Sequence, residues 1–146
     1  MQKLLVTPLF HTLKGIDEMY TKISTAAAKA CGLSKPEADV LLFLGNHPQY
    51  HTAKDIVENR GFSKAYISKA ADSLLKKELL DIKVNNKDRR FQQLYVTEKA
   101  KESIEQLQQM QQIFINQLTE GIPQEELEIY MKVMEQFSKN AIKKRI

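Results

Sequence analysis

The chain has 146 residues, a formal net charge of +4 and 42% hydrophobic residues. This size and composition predict one compact domain, or one elaborated domain per subunit, of ordinary globular type. No apolar run approaches the ~20 residues that a membrane-spanning helix needs, and Pro8 and His11 interrupt the N-terminal segment, which makes it a poor secretory signal. The single cysteine cannot form an internal disulfide. We therefore expect a cytoplasmic protein without a membrane partner.

The first of five or six predicted helices opens at Thr7-Pro8, where the missing N–H of proline does no harm, and it stops at Gly32. Its apolar residues recur at helical spacing and are Leu9, Leu13, Ile16, Tyr20, Ile23 and Ala27. Ser34 and Glu37 then form a capping-box pattern, which predicts the start of the second helix.

Two short helices follow. Thr52 and Ser63 are the predicted N-caps, and Gly61-Phe62 separates the two helices. Two short helices joined by a glycine-containing turn are typical of a helix-turn-helix, whose second helix reads the major groove of DNA.

A β-hairpin is predicted directly after these helices. Residues 80–84 and 92–96 are the expected strands, and the polar residues 85–88 are the expected turn. A helix-turn-helix followed by a hairpin is a winged helix-turn-helix. The predicted fold class is therefore mainly α with a small β-hairpin wing, and the DNA-binding domain spans residues 34–97.

Long helices flank this domain. Thr97 is predicted to cap a helix that reaches about Leu118, and the breaker at 121–123 separates it from a last helix. Residues 1–33 and 98–146 are apolar along one stripe of each helix, so we predict a helical dimerisation region that builds an intertwined homodimer. The alternative is that these helices pack on one another within a single subunit.

The excess positive charge of the chain is local. Between Phe62 and Tyr95 there are eight Lys and Arg residues and four acidic residues, a balance of +4 that equals the net charge of the whole chain. A segment that concentrates the excess charge in this way is the expected binding surface for a polyanion such as DNA.

The fourth helix carries the candidate base-reading residues at its N-terminal end. The candidates are Ser63, Lys64, Ala65, Tyr66, Ser68 and Lys69. Lysine can donate to guanine O6/N7 or to phosphate, alanine and the tyrosine ring can lie against a thymine methyl, and serine can bond phosphate or a base edge. The alternative is a solvated helix face with a cap serine.

His51 and Thr52 are further candidates at the start of the third helix. The N-terminal amides of a helix can bind a phosphate, because they are unpaired and lie at the positive end of the helix dipole. A plain N-cap without a DNA contact is the alternative for these two residues.

Residues 60–74, RGFSKAYISKAADSL, resemble the recognition helix of the MarR family of bacterial winged helix-turn-helix transcription regulators. Residues 88–90, DRR, followed after five residues by Val96-Thr97, resemble the DxR…LT wing motif of that family. Two departures stand out. Glu78 occupies the position after the recognition helix where the family usually has glycine, and Ile82 stands where a basic residue is common.

The resemblance implies that Arg90 enters the minor groove and that Asp88 fixes its guanidinium, while Arg89 is expected to meet a phosphate. It also implies a DNA-binding transcription regulator without a cofactor. We expect a homodimeric repressor that binds a pseudo-palindromic double-stranded DNA operator and is released by a small ligand. The sequence has no glycine-rich phosphate loop and no nucleophile elbow, so an enzyme is not expected. The alternative is a winged-helix protein-interaction module without operator binding.

Three kinds of signal are candidates for such a regulator: a small molecule, an oxidant and a metal ion. A small apolar or aromatic effector could bind between the first helix and the winged domain; the candidate residues are Phe10, Leu13, Ile16, Met19 and Tyr20. These side chains could equally be ordinary core. Cys31 leaves a redox role open. No metal is expected, because residues 52–146 contain no histidine and the zinc-sensing members of the family take ligands from the later helices.

Overall fold

The computed structural model describes residues 3–84 and 92–143. Its elements are α1 (Lys3–Ala30), α2 (Lys35–Asn46), α3 (Ala53–Arg60), α4 (Lys64–Lys76), β1 (Leu80–Val84), β2 (Gln92–Val96), a short 3-10 helix (Glu98–Ala100), α5 (Lys101–Leu118) and α6 (Gln124–Lys143). The strands pair antiparallel, at the predicted positions, and the predicted turn at 85–88 lies outside the described residues. The predicted fold class is confirmed: mainly α with a β-hairpin wing.

Two compact units make up the chain, Met1–Phe114 and Ile115–Ile146. In the first unit, α2 is the centre of the core, since all eight residues from Glu37 to Leu44 are buried. The largest fully buried side chains from other elements in the same core are Ile56, Ile67, Leu74, Leu80 and Leu107. None of the helices in the described part of the chain combines the length and the apolarity that crossing a bilayer requires.

The predicted helix caps are present at α2 and α3. The Ser34 hydroxyl accepts from the Glu37 amide at 3.3 Å, and the Glu37 carboxylate accepts from the Ser34 amide at 2.9 Å. Thr52 and Asp55 make the same reciprocal pair at the start of α3. Gly61 ends α3 with φ of 71°, a left-handed conformation that glycine adopts without steric cost. These local bonds explain why the helix starts could be read from the sequence.

The prediction that Thr7-Pro8 opens the first helix is wrong. The helix begins at Lys3, and Pro8 lies inside it. Proline at the sixth position of the helix removes the hydrogen bond from residue 8 to the carbonyl of Leu4, and its ring crowds that carbonyl. The first turn of α1 therefore lacks one of its backbone hydrogen bonds.

Thr97 does not cap the helix that follows it, so this prediction is also wrong. Its side chain makes no cap bond; the hydroxyl instead donates to the carbonyl of Glu78 at 2.8 Å. The Thr97 amide donates to the carbonyl of Leu79 at 3.1 Å, and the Lys99 ammonium donates to the carbonyl of Lys77 at 3.1 Å. The residues after the wing thus bind the C-terminal end of α4, and the polypeptide enters α5 through a 3-10 turn.

Glu78 occupies the left-handed position at the end of α4. Its φ of 62° is the only positive φ of a non-glycine residue in the described ranges. The Glu78 amide donates to the carbonyl of Leu75 and the Leu79 amide donates to the carbonyl of Leu74, both at 3.0 Å, which is the Schellman pattern. Glycine, which the resembling family usually has at this position, would adopt this conformation without steric cost. The cap forms nevertheless, with glutamate in a conformation that costs roughly 1–2 kcal/mol.

We predict that Glu78→Gly raises the free energy of unfolding by about 0.5–1 kcal/mol, because glycine removes the left-handed strain but also loosens the unfolded chain. Denaturant unfolding would measure the change. Glu78→Ala is the matched control, since it removes the same carboxylate and keeps a Cβ at the strained position. Equal stabilisation by both variants would contradict the strain argument.

Candidate nucleic-acid interface

The start of α4 presents a continuous polar face. Ser63 is the N-cap, with φ and ψ of −69° and 153°, and its hydroxyl accepts from the Tyr66 amide at 3.1 Å. Five of the six candidate residues on this helix are exposed: Ser63, Lys64, Ala65, Ser68 and Lys69. Over residues 3–84 and 92–143, neither the Lys64 nor the Lys69 ammonium has a hydrogen-bond or ion-pair partner. This face therefore offers two unpaired cations on the first turns of a capped helix.

Tyr66, the sixth candidate, is half-buried and points back into the protein. Its hydroxyl donates to Asp39 Oδ2 at 2.8 Å, and its ring stacks on Phe62 with 4.9 Å between centroids. Burial raises the pKa of Tyr66, and the hydrogen bond to the Asp39 carboxylate raises it further. The Tyr66 phenol is thus neutral and donates its hydrogen bond to a residue of α2. Contact of the Tyr66 ring with a thymine methyl remains a prediction.

Two buried carboxylates on α2 hold the two ends of α4. Asp39, 5% exposed, accepts from Tyr66 near the start of the helix. Glu37, 4% exposed, accepts from the Ser73 hydroxyl at 2.9 Å and from the Lys77 ammonium at 3.0 Å near its end. Sequence reasoning identified Glu37 only as a capping residue and missed Asp39. The available signal was an acidic residue within the apolar run of α2.

His51 and Thr52 have partners inside the protein. The Thr52 hydroxyl donates to Asp55 Oδ2 at 2.7 Å, and the amides of His51 and Thr52 donate to the same oxygen at 3.3 and 3.1 Å. Burial opposes ionisation of Asp55, but these hydrogen bonds and the nearby His51 hold its pKa below the ordinary value. The Asp55 carboxylate thus accepts hydrogen bonds from the amides of His51 and Thr52, the two residues that we predicted to lie at a phosphate. That phosphate contact stays a prediction.

The wing strands are fastened to the start of α3. The Leu94 amide donates to the carbonyl of His51 at 2.6 Å, and the His51 ring stacks on Tyr95 with 4.3 Å between centroids. Lys83 on β1 places its ammonium 4.4 Å from the centre of the same tyrosine ring. The predicted wing residues Asp88, Arg89 and Arg90 lie outside the described residues.

A cleft of about 120 Å³ opens beside the core helix α2. Its polar lining comes from four elements and includes Tyr20, Asp39, Asn46, His47, Arg60 and Gln111. The Arg60 guanidinium lies 5.9 Å from the centre of the Tyr20 ring and 5.0 Å from that of Phe62. Within the part of the chain that the structure describes, Arg60 has no carboxylate partner within salt-bridge distance. The cleft therefore has one available cation at its rim.

The other effector candidates lie along α1. Of the five predicted residues, only Tyr20 lines this cleft. Phe10 and Leu13 are exposed, at 64% and 46%, whereas Ile16 and Met19 are half-buried. The structure thus does not bring the five together around this cavity.

Cys31 lies at the end of α1, where its thiol donates to Gln106 Oε1 at 3.1 Å. Burial raises the pKa of this thiol, and the negative charge of Glu102 adds to the effect, while a hydrogen bond with Ser103 opposes it. A raised pKa lowers the fraction of reactive thiolate. Among the described residues, no group of three or more His, Cys, Asp or Glu side chains is arranged to hold a metal ion.

Comparisons with known proteins agree with this architecture. The MarR family model matches residues 32–90, whereas no curated protein matches the chain. The fold is similar to that of a MarR family transcriptional regulator from Listeria monocytogenes complexed with 26mer DNA, at 18% identity over 90% of this chain and 87% of that one, with a TM-score of 0.81.

Small molecules are associated with two further similar structures. Staphylococcus aureus MarR, in complex with salicylate and kanamycin, is 21% identical over 97% of this chain and 95% of that one, with a TM-score of 0.75. Bordetella bronchiseptica BpsR, whose DNA binding is regulated by 6-hydroxynicotinic acid, is 17% identical over 90% of this chain and 98% of that one, with a TM-score of 0.72.

Glu37 makes the stability of the interface scaffold depend on pH. Burial alone would raise the pKa of Glu37, but the Lys77 ammonium and the Ser34 and Ser73 donors lower it from 4.5 to about 2. Because the folded pKa is the lower one, the stabilisation is complete above pH 4.5 and is lost as the pH falls toward 2.

We predict that Glu37→Gln is less stable than the wild type at pH 7, and that the difference shrinks by about 2–3 kcal/mol between pH 5 and pH 2.5. Urea unfolding across this range measures it. Glu58→Gln is the control, because Glu58 is an exposed partner of Lys54 at 3.8 Å and should show little pH dependence. A difference for Glu37→Gln that stays constant with pH would contradict the assignment.

Proposed function

Through residues 32–90 the chain belongs to the MarR family, and on that premise we propose that it is a site-specific, DNA-binding transcription regulator. The observation that carries the proposal is the start of α4. There, Lys64 and Lys69 are exposed on a capped helix that two buried carboxylates hold in place, and neither has an ion-pair partner among residues 3–84 and 92–143. A helix-turn-helix places this end of its second helix in the major groove.

We propose that residues 34–97 bind double-stranded DNA and that Lys64 and Lys69 contact guanine edges or phosphates, with Ser63, Ala65 and Ser68 close to the bases. By resemblance, Arg90 enters the minor groove, Asp88 orients it, and Arg89 meets a phosphate. Arginine suits a narrow A·T minor groove because the groove potential is strongly negative and the guanidinium is weakly hydrated.

We further propose a homodimer built by residues 1–33 and 98–146. The support for this homodimer is the apolar surface that a single chain exposes to solvent. The side chains more than 50% exposed on α6 are Ile129, Met131, Phe137 and Ile142, and those on α1 are Leu5, Val6 and Phe10. Large exposed apolar surfaces are typical of protein interaction sites. A second copy that covers them would also supply the second DNA-reading helix that a pseudo-palindromic operator requires.

Selection of bound duplexes from a random pool tests both proposals. We expect an enriched inverted repeat with half-sites about one helical turn apart, and sedimentation should show two chains per duplex. Arg90→Ala should weaken binding to the selected site by ~1–3 kcal/mol at matched salt, without lowering thermal stability. Lys139→Ala removes the same charge from α6 and should leave affinity unchanged. No enrichment, or equal losses in both variants, would favour the protein-interaction alternative.

The regulator is proposed to act as a repressor that a small aromatic acid releases from DNA. The cleft beside α2 supports this class of effector. Arg60 lies at its rim without a carboxylate partner in the part of the chain that the structure describes, and Tyr20, His47 and Phe43 supply aromatic surface. A guanidinium binds a carboxylate through charge-assisted, often bidentate hydrogen bonds. Salicylate and 6-hydroxynicotinic acid, named with two of the similar proteins, are both aromatic acids.

Calorimetric titration with salicylate tests the effector proposal. We expect binding to the wild type and a loss of about tenfold or more in Arg60→Gln, since a hydrogen bond to a charged group is worth about 1.5–3 kcal/mol. Lys54→Gln removes a cation from the same helix outside the cleft and should bind as the wild type does. Salicylate that binds without Arg60, or does not bind at all, would overturn this assignment and leave the DNA-binding proposal standing.

A further inference from the structure

We infer that Asp39 and Tyr66 are positioning residues for DNA reading: their hydrogen bond sets the orientation of the groove-reading end of α4. The inference rests on the proposed function, because it concerns the same helix. Neither side chain is placed to touch DNA through its polar atoms, since the phenol donates to a buried carboxylate at 2.8 Å. They act through the exposed residues that share the first turns of the helix.

Tyr66 is fixed at both of its ends. Its amide donates to the Ser63 hydroxyl at 3.1 Å, and its own hydroxyl donates to Asp39. Lys69 lies three residues further along, on the neighbouring turn of the helix. Any rotation of α4 about its axis would therefore break the Asp39 bond and carry the exposed lysines to another angle in the groove.

Asp39 is a rigid anchor for this bond. It is 5% exposed, and the Lys35 ammonium donates to the same oxygen at 2.8 Å, from one turn earlier in α2. Lys35 also lies 6.0 Å from the centre of the Phe62 ring, on which Tyr66 stacks. The carboxylate belongs to the core helix and its second donor comes from that same helix. The hydrogen bond to Asp39 thus fixes the position of Tyr66 relative to the core helix.

The far end of α4 provides an internal comparison. There the Ser73 hydroxyl donates to Glu37 Oε2 at 2.9 Å. Ser73 and Tyr66 each donate one hydroxyl hydrogen bond from α4 to a buried carboxylate of α2. The bonds differ in place: Tyr66 lies beside the exposed lysines, and Ser73 lies about two turns away. Their loss should have a similar effect on stability and a different effect on DNA reading.

The test compares Tyr66→Phe with Ser73→Ala at a temperature where thermal melts show both variants fully folded. Affinity is measured for the selected operator and for a random duplex. For Tyr66→Phe we expect about tenfold weaker operator binding, which corresponds to ~1.4 kcal/mol, and random-duplex binding within about twofold, because non-specific binding follows charge. Ser73→Ala should keep the operator preference of the wild type.

An unchanged operator preference in Tyr66→Phe would overturn the inference, and so would an equal loss in Ser73→Ala, which would indicate a general effect of stability. Hydrogen exchange of the DNA-free protein supplies an independent readout: Tyr66→Phe should speed exchange over residues 64–69, and Ser73→Ala should not. If the wild type itself shows no operator preference, the proposed function has failed. The exchange data then decide separately whether the Asp39 bond holds this end of the helix.

Discussion

Two charges buried inside an apolar helix organise the first unit of this protein. Burying a carboxylate is costly unless several donors satisfy it, and α2 buries Glu37 and Asp39 within one turn of each other. Hydrogen-bond donors from α2 and its cap and from α4 and its C-terminal end satisfy the two carboxylates. Because both carboxylates need their α4 donors, α4 must pack against α2 in one orientation. Apolar packing alone would tolerate small rotations of α4, because dispersion contacts have little directionality. The carboxylates make its placement specific.

Hydrogen bonds join the wing to the helices before it. The end of α4 is a left-handed turn at Glu78, whose carbonyl receives the Thr97 hydroxyl. The other side of the wing is joined to α3 by the bond from Leu94 to His51. These two hydrogen bonds, together with the ladder between β1 and β2, connect the start of α3, the end of α4 and both strands into one frame. The position of the hairpin follows from the same two carboxylates.

Local interactions were the part of this structure that the sequence revealed. The N-caps at Ser34, Thr52 and Ser63, the end of the third helix at Gly61 and both strand ranges were predicted correctly, since each depends on residues close together in the chain. The predicted cap at Thr97 was wrong, because its hydroxyl bonds the end of α4 instead. The sequence also did not reveal that the Tyr66 hydroxyl, on a polar segment, donates to the buried Asp39. Pairings across 19 and 27 residues leave no periodic trace.

Asp39 belongs both to the wall of the cleft and to the bond that anchors Tyr66. One carboxylate thus lies between the space beside Arg60 and the exposed start of α4. Linkage makes such an arrangement reciprocal: a compound in the cleft that altered DNA affinity by some factor would have its own affinity altered by DNA by the same factor. The DNA-bound protein would then be a poorer receptor for a releasing compound than the free protein, so the sensitivity of the regulator would depend on how tightly each operator is bound.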